Sequence, residues 1–254
     1  MTQREVKAAV LLIGDELLSG RTQDVNLQAI AKFLAPLGVQ VAEARVVADV
    51  PEEIVAAVNA LRTTYDYVFT TGGIGPTHDD KTADAMAAAF GVGIGVRDDA
   101  RAILEAHYKG AQHLNEARLR MARIPDGASL IANPVSKAPG FQLGNVFVMA
   151  GVPSITRGML QDVAHRIEGG AVVRSVTVRG RAVREGDIAE RLAMLEAAAP
   201  GVSFGSYPWF TPEGYGLHLV ARTSDEAALV QASEDLKSLI RSCGAEPEIV
   251  EDAS

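Results

Sequence analysis

Residues 8 to 14 read AAVLLIG, an uninterrupted apolar run that stops at a glycine. A strand with one face in water alternates apolar and polar side chains. A continuous apolar run of this length instead fits a strand covered on both faces. Related segments recur at 39–47 (VQVAEARVV), 65–73 (YDYVFTTGG), 128–133 (ASLIAN) and 145–151 (NVFVMAG). Between them lie helical patterns. In 26–38, Ile30, Phe33, Leu34 and Leu37 share one side, and a second helix follows Asp49, with Pro51, Glu52 and Glu53 in its first turn. Further helices are expected over 82–91, 97–110, 115–125 and 154–167. Strands alternating with helices imply an α/β fold, a mostly parallel sheet with helices on both faces.

The 254 residues suit one large domain or a main domain with a smaller companion. A hydrophobic share of 48% supplies a sizeable core. After Gly169-Gly170 the pattern changes to β-α-β-β-α, so the expected domains are 1–170 and 171–254, the second a small α+β module. The net charge of −8 disfavours broad nucleic-acid binding. Cys243 is the single cysteine, so no intrachain disulfide can form. The N-terminal apolar run is broken by Asp15 and Glu16, and no stretch is long enough to span a bilayer. A cytoplasmic protein without membrane or nucleic-acid partners is the expectation.

In open α/β sheets ligands bind beyond the carboxyl ends of the strands. GDEL (14–17), GGIGP (72–76) and AGVP (150–153) all fall at such ends, which gathers them into one candidate site. The richest stretch is TTGGIGPTHDDKT, 70–82. Gly72, Gly73 and Gly75 allow close approach of backbone amides to an anion, with Thr71 leading into them. Asp79 and Asp80 offer oxygen ligands suited to magnesium or manganese bridged to phosphates. The plain alternative is a tight turn in which Asp80 or Thr82 caps the next helix. Asp15 and Glu16 either reach the same cleft or sit on a solvated turn. Asn26 either caps its helix or bonds a ligand, and Asp49 is a helix cap or a catalytic group. Lys137 in NPVSKAPGF can pair with an anion or lie exposed. No Walker loop, dinucleotide fingerprint, zinc spacing or GxSxG is present.

TTGGIGPTHDDKT resembles the signature of the Mog/MoaB-type molybdenum-cofactor-biosynthesis domain. The wider series IGDELLSGRTQDVN, VVADVPEEI, IPDGASLIANPVSKAPGF, AGVPS and GSYPWF, in that order, resembles the N-terminal part of the competence/damage-inducible protein A (CinA) family. The resemblance implies a three-layer α/β sandwich with a mostly parallel sheet, a KH-like C-terminal module and a homo-oligomer. It also implies a pocket for molybdopterin or a nucleotide, and a divalent metal (magnesium, manganese or cobalt). Mog-type domains transfer an adenylyl group to molybdopterin, and CinA-type domains are associated with hydrolysis of ADP-ribose. By position, GGIGP is the phosphate loop, Asp80 the metal-organising acid with Thr82 beside it, and Asp49 a second functional aspartate. Asp15, Glu16 and Asn26 match the first strand-end motif; Gly151, Pro153 and Ser154 match the last.

Four positions depart from the family pattern. Ala150 stands where a proline is usual, Ile155 where a glutamate is, and Ser136 and Lys137 replace a Gly-Thr pair. The deamidase domain of longer CinA proteins has no counterpart here, so that activity is not expected. The small module lacks the GxxG loop of nucleic-acid-binding KH domains. Tyr207, Pro208 and Trp209 are either a lid or an ordinary aromatic anchor. The expected function is metal-dependent phosphoanhydride chemistry of the ADP-ribose pyrophosphatase kind. A non-catalytic pterin or nucleotide carrier and Mog-like adenylyl transfer are the alternatives.

Overall fold

The computed structural model describes residues 4–250 and divides after Ala171 into two compact units. The first unit opens with β1 (Val6–Ile13), a four-residue turn of helix α1 (Asp15–Leu18), α2 (Asn26–Leu34) and β2 (Val39–Val47). Next come α3 (Pro51–Thr64), β3 (Tyr67–Thr71), α4 (Thr82–Phe90), β4 (Ile94–Val96), α5 (Asp98–His107) and α6 (Glu116–Arg120). It closes with β5 (Arg123–Pro125), β6 (Ser129–Ile131), β7 (Gly140–Leu143), β8 (Val146–Met149) and α7 (Pro153–Val163).

Six strands form one sheet in the order β2-β1-β3-β8-β7-β6. The pairs β1/β2, β1/β3 and β3/β8 are parallel, whereas β7/β8 and β6/β7 are antiparallel. The reversal follows from the connection: only Gly144 and Asn145 separate β7 from β8, and Gly144 has φ 56°. A two-residue link can join only antiparallel neighbours. β1 is covered on both faces, as the run AAVLLIG requires. Ala9, Leu11 and Ile13 pack in one core with Ile54, Val58 and Leu61 of α3, and Met86 of α4. Ala8, Val10 and Leu12 pack in the other with Ile30 and Leu34 of α2, and Met159 of α7. Each fully buried Leu or Ile contributes about 1.5–3 kcal/mol. The result is the three-layer α/β sandwich expected.

Two local readings change. The helix expected over 115–125 ends at Arg120, capped at its start by Asn115, whose side chain accepts from the Arg118 amide. The remainder becomes β5, which pairs antiparallel with β4. GFQL (140–143), inside a Pro- and Gly-rich stretch, is strand β7.

The second unit runs β9 (Arg174–Arg181), α8 (Glu185–Ala198), β10 (Ser203–Thr211), β11 (Gly214–Thr223), α9 (Glu226–Ser242) and β12 (Pro247–Val250). Its sheet is antiparallel, in the order β10-β11-β9-β12. The split β-α-β arrangement thus gains a sixth element beyond the β-α-β-β-α pattern. Asp225 caps α9, accepting from the amides of Ala227 and Ala228. No helix among the described residues is long and apolar enough to cross a membrane.

Candidate functional site

The parallel strands β1, β2, β3 and β8 bring their carboxyl ends to one edge of the first sheet, and a cavity of about 600 Å³ opens there. That volume lies within the usual range for small-molecule sites. Glu16, Asp49, Gly72, Gly73, Gly75, Asp79, Asp80, Gly151 and Pro153 all line it, so most of the residues singled out from sequence converge.

The glycine loop is built by close approach. Gly72 has φ 104°, and a Cβ there would lie 2.0 Å from the Ile13 carbonyl oxygen. Gly73 has φ 66°, and its Cβ would lie 2.1 Å from Thr82 Oγ1. Thr82 is fully buried and its hydroxyl donates to the Gly72 carbonyl at 2.9 Å, while its amide donates to the Gly73 carbonyl at 3.0 Å. Thr82 therefore holds the loop from beneath and lies outside the cavity lining. Thr71, the last residue of β3, is likewise buried. The amides of Gly73 and Ile74 donate to no acceptor among the described residues. Both residues line the cavity.

Asp80 clasps the loop. Its Oδ1 accepts from the Gly75 amide at 2.6 Å, and its Oδ2 accepts from the Thr77 amide at 2.8 Å and the Thr77 hydroxyl at 2.6 Å. Neither Asp80 nor Thr82 caps α4 by a side-chain hydrogen bond.

Asp49 is not a helix cap either: Val50 holds that position, without side-chain capping. Asp49 Oδ2 accepts from the Asp15 amide at 3.0 Å, and Asp15 Oδ1 accepts from the Asp49 amide at 3.3 Å. Burial pushes the Asp49 carboxyl above the usual carboxylate range. The Asp15 amide opposes this, and the negative charges of Asp15, Glu16 and Asp79 add to the rise.

Asn26 ties two strand-end motifs together, its Nδ2 donating to the Gly151 carbonyl at 2.7 Å. Val25 holds the cap position of α2, and the carboxylate of Asp24 just before it accepts from the amides of Asn26 and Leu27. Asn26 is only 5% exposed, and its Oδ1 has no partner among the described residues. Lys137 is not brought to the cavity; with φ 64° it lines a separate one with Ile131, Asp162 and Arg166. Ser154, Asp15 and Asn26 are likewise absent from the main lining.

The sequence reading missed Asn133, whose side chain organises the 133–138 turn. Its Oδ1 accepts from the amides of Val135 and Ser136, and its Nδ2 donates to Ser136 Oγ and the Ala138 carbonyl. The Asn-Pro dipeptide was the available signal. Three of the four departures from the family pattern, Ser136, Ala150 and Ile155, line the cavity.

Carboxylates from Glu16, Asp49, Asp79 and Asp80 make a hard-oxygen donor set at the cavity. Among the described residues no three His, Cys, Asp or Glu side chains group so as to hold a metal ion. The donor chemistry fits magnesium or manganese only in the form that shares its coordination with substrate phosphates and water.

A glycine loop and acidic residues around a cavity at the carboxyl ends of the parallel strands are the arrangement of an α/β small-molecule-binding domain. Residues 9–169 match the family described as the probable molybdopterin binding domain, and the chain belongs to that family. Residues 175–247 match the middle domain of FAD synthase. The chain is 33% identical to a CinA-like protein of Gemmatimonas aurantiaca, over 91% of this chain and 58% of that protein. It is 36% identical to a CinA-like protein of Desulfosudis oleivorans, over 78% of this chain and 51% of that one. It thus spans between half and three-fifths of the length of these relatives. Among solved structures, the protein CinA with unknown function from Thermoplasma acidophilum is 34% identical. That match has a TM-score of 0.60 and covers 64% of this chain and 99% of that chain. The resemblance to the CinA family read from the motifs is borne out.

Proposed function

We propose that the first unit is a divalent-metal-dependent enzyme that hydrolyses a nucleotide phosphoanhydride of the ADP-ribose kind. The observation that carries this reading is a cavity lined by the acidic residues Glu16, Asp49, Asp79 and Asp80 beside a glycine loop whose Gly73 and Ile74 amides donate to no acceptor among the described residues. The names of the matched families, which cite molybdopterin binding and FAD synthase, support a pterin- or nucleotide-type ligand.

The amides of Gly73 and Ile74 bind phosphate oxygens, and Asp80 keeps the loop in the conformation that presents them. Asp79 would hold the metal together with substrate phosphates and water, and the metal would supply charge neutralisation and orientation of the phosphates. Asp49 Oδ1 is the oxygen left over from the exchange with Asp15. With a raised carboxyl pKa, it is suited to take the proton of the attacking water. The water oxygen bonds to phosphorus, the bridging P–O bond breaks, and the two halves leave as AMP and ribose 5-phosphate. In this reading the protein acts as a homo-oligomer in the cytoplasm, without nucleic-acid or membrane partners.

The test is AMP release from ADP-ribose and from ATP with magnesium, manganese or cobalt, and with EDTA. Metal-dependent release that Asp49→Asn and Asp79→Asn abolish supports the reading; no release by the wild type sinks it. A second reading, a pterin or nucleotide carrier, is favoured by Ile155, which puts an apolar wall where the family has a carboxylate. Ligand binding without product would establish that reading, and AMP found attached to molybdopterin would indicate adenylyl transfer instead.

A further inference from the structure

We propose that Arg120 is the residue that grips the pyrophosphate of the substrate, an assignment that rests on the phosphoanhydride reading above. The main cavity is lined by four carboxylates and by no lysine or arginine. A pyrophosphate entering it meets like charge, so a cation beside the loop matters as much as the amides. A narrow cleft adjoining the cavity shares Gly73, Ile74, Gly75, Asp80 and Met121 with it, and Arg120 and Arg123 line that cleft.

Three arginines crowd this stretch, and two are committed elsewhere. Arg123 forks onto Asp84, with contacts of 2.7 and 2.6 Å. Arg118 donates to the His113 carbonyl at 2.5 Å and lies 4.0 Å from the centre of the Tyr108 ring. Arg120 is half-buried, yet among the described residues it donates no hydrogen bond and forms no ion pair. A guanidinium has five N–H donors in a fixed fork, and withdrawing them from water without acceptors is unfavourable. That fork matches the oxygens of a phosphate, and Arg120 directly precedes Met121, which lines the cavity itself.

Calorimetric binding of inorganic pyrophosphate, with and without magnesium, tests the assignment without requiring turnover. The wild type is expected to bind, and Arg120→Ala to bind about tenfold more weakly or worse. Arg120→Lys, which keeps the charge without the fork, should fall between them. Arg101→Ala, which removes an exposed pair with Glu105 on α5, should match the wild type. Melting temperatures are recorded for each, and if Arg120→Ala does not fold, the lysine variant carries the comparison. Equal affinity for the wild type and the folded Arg120 variant overturns the assignment, as does absence of pyrophosphate binding by the wild type. AMP release is followed in parallel. A wild type that needs Arg120 for pyrophosphate but releases no AMP overturns the hydrolase reading and leaves the Arg120 assignment standing.

Discussion

Asp15 and Asp49, 34 positions apart, exchange amide-to-carboxylate hydrogen bonds of 3.0 and 3.3 Å and so fasten the end of β1 to the end of β2. The exchange holds a carboxyl whose pKa is raised by burial and by three acidic neighbours. Folded protein therefore binds the Asp49 proton more tightly than unfolded protein does. Between the ordinary aspartate value of about 3.9 and the raised one, stability falls as pH rises. Asp49→Asn removes that charge while its side-chain oxygen can still accept from the Asp15 amide. In EDTA it should melt higher than the wild type at pH 7, with the advantage shrinking as pH falls through the window. Melting curves across pH check this; equal pH slopes in the two proteins would refute it.

Asp80 satisfies three donors in its own loop, so Asp80→Ala should loosen residues 72–80 and cost about 1–3 kcal/mol. Hydrogen exchange at the Gly75 and Thr77 amides should accelerate well beyond the change elsewhere in the unit. Loss of activity in an Asp80 variant would thus not identify a metal ligand by itself, whereas Asp79→Asn leaves the clasp in place.

Much of this architecture is readable from the residues. The run AAVLLIG announced a strand buried on both faces, and the glycine and acidic clusters fell at strand ends where the parallel topology collects them. What stayed hidden was tertiary or very short. β4 and β5 have three residues each, too few for a period to show, and β7 lies inside a Pro- and Gly-rich stretch. The Asp49-Pro51-Glu52 run imitates a helix cap, and nothing local discloses that Asp49 bonds to Asp15. Arg120 carried no signal either, because its distinction is the partner it lacks and its neighbours have.

Thr82 separates packing from hydrogen bonding. Thr82→Val keeps the shape but strips the hydroxyl from the Gly72 carbonyl, at a cost of about 1–3 kcal/mol. Thr82→Ser keeps the bond and loses a methyl, at about 1 kcal/mol. Ligand affinity should drop more in the valine variant, because the Gly72–Gly73 backbone loses its support; chemical denaturation and calorimetry distinguish the two effects.

In the second unit, Trp209 is the chain's single tryptophan and stacks on His218, with ring centres 6.2 Å apart. His218 Nε2 accepts from Arg179 Nε at 3.0 Å, and burial, then the Arg179 charge, push the imidazole pKa down. The unfolded chain binds this proton more readily, so stability is lost as pH falls below the ordinary histidine value of about 6.5. Tryptophan fluorescence should titrate with a midpoint below that value, and His218→Gln should abolish the transition.

The bond from Asn26 to the Gly151 carbonyl joins residues 125 positions apart. During synthesis from the N-terminus, the glycine loop leaves the ribosome long before the segment that braces Asn26. A nascent chain therefore holds the glycine loop and its acidic neighbours before β8 and the residues after it supply the Gly151 end of that brace. A chain truncated before residue 151 would carry the motif without the Asn26 brace and without the wall of the cavity that Gly151, Val152, Pro153 and Ile155 supply.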